Sequence, residues 1–107
     1  MAKDENPVIE GGDPAAGWPF DQGPNVAAIT VRSVVNGDPI LYVSHDSGDH
    51  SWQFLDGRPP DVEEVRVIAM HEALRIDPTL RQIADLPPGW IAWRKGASGP
   101  WSRQPHE

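Results

Sequence analysis

The sequence predicts an α+β fold in which one main helix packs on one face of a small, mostly antiparallel sheet of four to five strands. Short runs of β-branched, aromatic and aliphatic residues alternate with turn residues along the chain. Twelve prolines and ten glycines in 107 residues break the chain often enough to exclude long helices. An all-β, barrel-like arrangement is the alternative.

A hairpin formed by residues 40–44 and 51–55 is predicted at the centre of the sheet, because turn residues (Asp46, Ser47, Gly48 and Asp49) separate the two runs. A symmetric register sets Ser44 opposite Trp52 and Tyr42 opposite Phe54. Side chains alternate across a strand. One face would then hold Tyr42, Trp52 and Phe54, and the other Leu41, Val43 and Leu55. Both faces are apolar, so we expect something to cover each side.

Residues 1–25 are predicted to be a flexible, acidic arm before a single domain over residues 26–104. Prolines and glycines recur through the arm, and such a composition buries too little apolar surface to offset the entropy of ordering. Trp18 and Phe20 are exceptions that could dock onto the domain or onto a partner.

One strand is predicted before the hairpin in the chain, and one full strand and one short strand are predicted near the end of the chain. Residues 26–31 form the first strand, and in the connection after it Val34 and Val35 point inward. Residues 89–95 form the last full strand, with Ile91 and Trp93 on one face and Trp90, Ala92 and Arg94 on the other. Residues 100–103 add a short closing strand.

Residues 62–76 carry two patterns. A capping box and helical spacing favour a helix, whereas the β-branched run over 65–70 favours a strand, followed by a turn or short helix over 72–76. We adopt the strand.

The main helix is predicted over residues 78–86. Asp77 is its N-cap and Pro78 its first residue, and Pro87 ends it. The buried stripe consists of Leu80, Ile83 and Ala84.

Composition excludes several classes of function. The net charge of −7 argues against nucleic acid, whose affinity for proteins comes largely from neutralisation of phosphates by Lys and Arg. The absence of cysteine excludes disulfides and thiolate ligands. No run approaches the roughly 20 apolar residues of a membrane span, and no signal peptide is visible. We expect a cytoplasmic protein with no cofactor and no nucleic-acid or membrane partner.

Several motifs resemble those of a widespread family of small, uncharacterised bacterial proteins. They are His45-Asp46, Gly48-Asp49, Trp52-Gln-Phe-Leu, Asp77-Pro78-x-Leu80, Asp85-Leu-Pro-Pro-Gly-Trp90-x-Ala-Trp-Arg94 and Pro100-Trp101-x-Arg103. More distantly, Ser47-Gly48 and Trp52-x-Phe54 with a later Asp-Pro-x-Leu are similar to a domain of unknown function among immunity proteins of bacterial toxin systems. That domain has Asp-Ser-Gly-Trp without the intervening Asp49, His50 and Ser51. Neither resemblance implies a reaction, a cofactor or a catalytic residue.

Two candidate sites emerge. Trp90, Trp101, Arg94 and Arg103, with His45 and Asp46, form a candidate protein-binding surface, because Trp and Arg are enriched where interfaces gain most of their energy. Trp52 and Trp93 are instead assigned to the core. Arg94 and Arg103 could also pair internally with Asp46, Asp49 or Asp85. The second site is a possible metal site made by His45, Asp46, Asp49 and His50 in one turn.

The favoured hypothesis is a non-catalytic protein-interaction module, possibly immunity-like, that binds another protein or a second copy of itself. The alternative is a small metal-dependent enzyme that uses the His45–His50 turn.

Overall fold

One six-stranded sheet forms the body of the protein in the computed structural model, which describes residues 17–106. Its strands are β1 (Ala27–Val31), β2 (Tyr42–His45), β3 (Trp52–Leu55), β4 (Val65–Ala69), β5 (Trp90–Trp93) and β6 (Ser102–Pro105). They are ordered β4-β1-β3-β2-β5-β6, and neighbours are antiparallel except β1 and β3. The mixed architecture follows the prediction, with six strands where four to five were expected.

The helical segments are short. They are α1 (Arg32–Val35), a first 3-10 helix (Val62–Glu64), α2 (Met70–Ile76) and a second 3-10 helix (Pro78–Ile83). The prediction of a strand and then a helix over residues 62–76 is confirmed. Within residues 17–106, no helix combines the length and the apolar character needed to cross a membrane.

The predicted main helix is a 3-10 helix that stops at Ile83 instead of running to residue 86. Its start is as predicted, because Oδ1 of Asp77 accepts a hydrogen bond from the Thr79 N–H at 3.0 Å and Pro78 follows the cap. Leu80 and Ile83 are buried in it as predicted, and Ala84, just after its end, is buried as well. Proline disfavours helical backbone in the residue before it, so Leu86 could not continue a helix into Pro87.

The core begins earlier in the chain than the predicted boundary at residue 26. Phe20 is 1 % exposed and its ring centroid lies 5.0 Å from that of Trp52 and 6.1 Å from that of Phe54. An aromatic side chain buried this fully contributes enough to order the segment that carries it. The predicted arm is therefore packed from at least Trp18 onward, and residues 1–16 lie outside the described residues.

The register of the hairpin differs from the prediction by one residue. His45 pairs with Trp52, Val43 with Phe54 and Tyr42 with Leu55. A shift of one residue moves a side chain to the opposite face, so the expectation that Tyr42 lies beside Phe54 is wrong. Val43 and Leu55, which were expected to share a face, likewise lie on opposite faces of the sheet.

The turn explains this shift. The Asp46 N–H donates to the Ser51 carbonyl at 2.9 Å, and His50 takes a left-handed backbone conformation with φ of 60°. Six residues therefore form the closed turn, and its centre falls after Gly48 rather than on it. The strands overlap the predicted runs, but β2 begins at Tyr42 and ends at His45 instead of covering residues 40–44.

The connection after β1 also differs from the prediction. Val34 is buried, but Val35 is 46 % exposed. Residues 32–35 form one turn of α-helix, in which successive side chains point about 100° apart. Adjacent valines therefore cannot both face inward.

Candidate functional site

Arg94, a member of the predicted binding surface, lies inside the protein. Its side chain is 1 % exposed and Nη2 lies 2.6 Å from Oδ2 of Asp77. Nε donates to the Ile40 carbonyl and Nη1 to the Thr79 hydroxyl, both at 3.0 Å. Every face of the guanidinium is used, so Arg94 ties the end of β5 to the cap of the second 3-10 helix and is not available to a partner.

The other members of that surface are also engaged by the fold. The guanidinium carbon of Arg94 lies 4.1 Å above the ring of Trp101, which makes a cation–π contact. Arg103 pairs with Asp85 at 2.8 Å, one of the internal partners that the sequence suggested, and donates to the Gln82 carbonyl at 2.7 Å. Trp90 and Trp101 are half-buried against the core. These residues build the domain more than they expose a binding surface.

The two tryptophans of β5 face opposite to the prediction, which placed Trp90 at the surface and Trp93 in the core. Val43 pairs with Ala92 and Tyr42 with Trp93, so Trp90 and Ala92 point to the core side and Trp93 points to the other face. The alternation within β5 was predicted, but its direction was not. Trp52, in contrast, is fully buried in the core as expected.

His45 is a core residue rather than a surface ligand. It is 3 % exposed and its ring stacks on Trp52 with a centroid distance of 4.0 Å. Nδ1 donates to the Leu86 carbonyl at 2.7 Å, and Nε2 faces Oδ2 of Asp21 at 3.1 Å. Nδ1 is therefore bound to the backbone, and Nε2 is buried without a hydrogen bond in the described residues, so neither nitrogen is exposed to solvent.

The turn after β2 uses its carboxylates to hold its own backbone. Oδ1 of Asp46 accepts from the N–H groups of Gly48 and Asp49 at 2.6 and 3.2 Å. Oδ1 of Asp49 accepts from the Ser51 N–H at 2.9 Å, and this bond lowers the pKa of Asp49. In the part of the chain that the structure describes, no group of three or more His, Asp or Glu side chains converges as a metal site would require. His45, Asp46, Asp49 and His50 are adjacent in sequence without forming such a site.

A different surface stands out in the structure. The buried residues of α1, α2 and the second 3-10 helix pack with the inward side chains of the strands. The opposite face of the sheet is covered only in part, since Val31, Leu55 and Ile91 on it are buried whereas Val67 is 65 % exposed. We call this the uncharged face. Its positions are Ala27, Ile29, Val31, Tyr42, Ser44, Gln53, Leu55, Val65, Val67, Ala69, Ile91, Trp93, Ser102 and Gln104.

The composition of this face is unusual for a sheet surface. None of its positions carries a charge, although 23 % of the residues in the chain are charged. One row across all six strands reads Val67, Ile29, Gln53, Ser44, Ile91 and Gln104 in sheet order. Val67 is 65 % exposed. The solvated face of an antiparallel sheet is normally polar, whereas here the apolar side chains of β1 and β4 lie beside uncharged polar ones on β3, β2 and β6.

A loop closes one end of the uncharged face into a groove. Residues 57–60 border a groove of about 330 Å³ with Tyr42, Gln53 and Leu55 on its floor. Asp56 anchors the loop, because its Oδ2 accepts from the Ser33 hydroxyl at 2.7 Å and from Nη2 of Arg58 at 2.6 Å. Partial burial opposes ionisation of Asp56, but the hydrogen bonds from Arg58 and Ser33 outweigh it and lower its pKa to about 2.

The pattern of apolar residues in the sequence indicates this face, although the overall composition does not. In β1 and β4 both alternating sets are largely apolar, as in the run Val65-Arg-Val-Ile-Ala, and the hairpin was expected to need a cover on each side. Within residues 17–106 the structure covers one side fully and the other only in part, because Leu55 is buried there while Gln53 is exposed.

Comparison of the chain with protein-family models, curated proteins and solved structures gives no match.

Proposed function

We propose that the protein is a non-catalytic interaction module that works by burying its uncharged face against a protein surface. The observation that carries this proposal is the charge-free face across six strands, on which Val67 is 65 % exposed. Burial of apolar surface stabilises an association by roughly 25 cal/mol for each Å² removed from water. Charged residues are depleted at the centre of protein–protein interfaces, so a face without charges suits such a contact.

The chemistry of the candidate residues favours binding over catalysis. His45 is buried with Nδ1 bound to the Leu86 carbonyl, and the carboxylates of Asp46 and Asp49 accept backbone hydrogen bonds. The side chains of the uncharged face offer apolar contact, hydroxyl and amide groups, which bind and orient a partner. The sequence resemblance to an immunity-like domain supports the same class of function, since an immunity protein acts by covering the surface of a toxin.

Site-specific photo-crosslinking in the native host tests this function. The variant Val67→p-benzoylphenylalanine places the crosslinker on the uncharged face, and Val35→p-benzoylphenylalanine places it on an exposed valine of α1 as the matched control. We expect irradiation to give a defined protein adduct from position 67 and none from position 35, and mass spectrometry then identifies the adduct. Absence of any adduct from position 67 would contradict the proposed function, as would the same adducts from both positions.

A further inference from the structure

We infer that the partner adds an extended segment to one edge of the sheet, where the segment pairs with β4 through main-chain hydrogen bonds. This inference rests on the proposed function and specifies how the partner binds and what kind of segment it supplies. It follows from the direction of the backbone groups in β4, from the opposite edge of the sheet and from the charge beside β4.

The pairing of β4 with β1 determines which backbone groups of β4 point outward. β4 ends the strand order, so β1 is its one neighbour among residues 17–106. The Met70 N–H donates to the Val26 carbonyl at 2.8 Å, which continues the register of the two strands as a hydrogen-bonded pair. Hydrogen-bonded and non-hydrogen-bonded pairs alternate along an antiparallel ladder. Three residues of β4 therefore direct their N–H and C=O groups away from β1, namely Val65, Val67 and Ala69.

Two of these three residues keep their outward groups free. Nη1 of Arg66 donates to the Val65 carbonyl at 2.9 Å, so that acceptor is occupied. Within residues 17–106, no hydrogen bond involves the outward groups of Val67 or Ala69. Val67 also belongs to the uncharged face and is 65 % exposed. An unpaired strand edge of this kind is a template for another strand.

The opposite edge of the sheet is less suited to such pairing. The His106 N–H donates to the Gly89 carbonyl at 2.8 Å, so the same alternation directs the backbone groups of Arg103 and Pro105 in β6 outward. Pro105 has no N–H to donate, and a proline protects an edge strand against addition of another strand. We therefore assign the added strand to β4.

The backbone and the charge of this edge define the segment that fits it. Free N–H and C=O groups on alternate residues match an extended chain. Side chains of the added strand that lie beside Val67 continue the uncharged face, so apolar residues fit there. Glu63, which lies just before β4, is exposed and favours a Lys or Arg at that end of the segment. Because each chain carries a net charge of −7, two copies repel one another, and we expect the segment to come from a different protein.

Proline substitution at Ala69 tests the pairing. The φ of Ala69 is −78°, which proline adopts, and its N–H points away from β1, so Ala69→Pro removes one outward donor while the pairing with β1 remains. Ala69→Ser retains this N–H and is the matched control. In the chain that carries Val67→p-benzoylphenylalanine, we expect Ala69→Pro to lower the yield of the partner adduct about tenfold and Ala69→Ser to leave it unchanged. Urea unfolding of both variants checks that the fold is retained.

Hydrogen exchange of the isolated adduct gives a second measurement that needs no proline. The backbone N–H groups of residues 67 and 69 are paired in the adduct, so we expect them to exchange about tenfold or more slowly than in the free protein. The amide of Val35, on an exposed position of α1, should exchange at the same rate in both.

Four results would overturn the inference. They are equal adduct yields for Ala69→Pro and Ala69→Ser, unchanged exchange at residues 67 and 69, an adduct of twice the 11.8 kDa of one chain, and a crosslink within the chain itself. The last two would identify a second copy or the chain's own residues as what lies at this edge. A partner adduct that survives Ala69→Pro keeps the proposed function and loses only the added strand, whereas absence of any adduct from position 67 contradicts the proposed function itself.

Discussion

Arg94 and Asp77 form an ion pair inside the protein, with Nη2 of the arginine 2.6 Å from Oδ2 of the aspartate. The pair joins the end of β5 to the N-cap of the second 3-10 helix, across a separation of 17 residues in the sequence. It shows why an arginine beside tryptophans in a sequence need not belong to a binding surface.

Removal of the buried guanidinium should destabilise the protein strongly. We expect Arg94→Ala to lower the free energy of unfolding by about 3 kcal/mol or more, because Asp77 and the Ile40 carbonyl lose their donor inside the protein. Urea unfolding measures this loss. Arg103→Ala breaks a more exposed pair and should cost about 1 kcal/mol or less. Equal losses for the two variants would mean that the internal network contributes no more than a surface pair.

Acid should weaken the anchor of the loop over residues 56–60. The pKa of Asp56 is lowered from 3.8 to about 2 in the folded protein, so its stabilisation is fully present above pH 3.8 and is lost as the pH falls through about 2. Because Arg58 is largely exposed, solvent screening reduces the contribution to about 1 kcal/mol.

The comparison of wild type with Asp56→Asn measures this effect. We expect the difference in unfolding free energy between them to be constant from neutral pH down to about 4 and to shrink below it. Asp85→Asn, at an exposed carboxylate paired with Arg103, should give a much smaller difference. A difference for Asp56→Asn that does not change with pH would show that the carboxylate contributes through packing alone.

Phe20 should contribute to stability as a core residue does. We expect Phe20→Ala to lower the free energy of unfolding by about 3 kcal/mol, because it leaves a cavity against Trp52 and Phe54. Phe20→Leu retains most of the volume and should cost about 1 kcal/mol. Urea unfolding of both variants checks this order. A loss below about 0.5 kcal/mol for Phe20→Ala would restore the prediction of an arm over residues 1–25.

His45 should act as a structural residue, unlike His50 in the exposed turn. His45→Ala removes the stack on Trp52 and the donor to the Leu86 carbonyl, so we expect a loss of about 2 to 3 kcal/mol. His50→Ala should be close to neutral. Urea unfolding followed by tryptophan fluorescence reports the loss and the changed surroundings of Trp52.

Zinc provides an independent check of the turn. Because His45 is buried and Asp46 and Asp49 accept backbone hydrogen bonds, we expect excess Zn²⁺ to leave the Tm of the wild type unchanged. A rise in Tm with Zn²⁺ that His50→Ala abolishes would establish a metal site in the turn and revive the metal-dependent alternative.

The candidate binding surface illustrates what a sequence can and cannot predict. The residue types of Trp90, Trp101, Arg94 and Arg103 indicate large contacts, and they do make large contacts, but within the chain. A sequence does not reveal whether the partner of an arginine is internal, since the approach of Asp77 to Arg94 depends on how the 3-10 helix packs on the sheet. The uncharged face could not be predicted for the same reason, because the row of side chains across it takes one residue from each of six strands.

The sequence by itself determined the local elements: the two strands of the hairpin, the turn between them, the strand and helix over residues 62–76, and the Asp77 cap. Each depends on residue types within a few positions of one another, where backbone preferences and short-range hydrogen bonds decide the conformation. Only the tertiary structure decided the register, the direction in which β5 turns its tryptophans, and the membership of the core and the uncharged face. Strand pairing is non-local. A shift of one residue in the register of the hairpin turns the side chains of one strand to the opposite face relative to its partner.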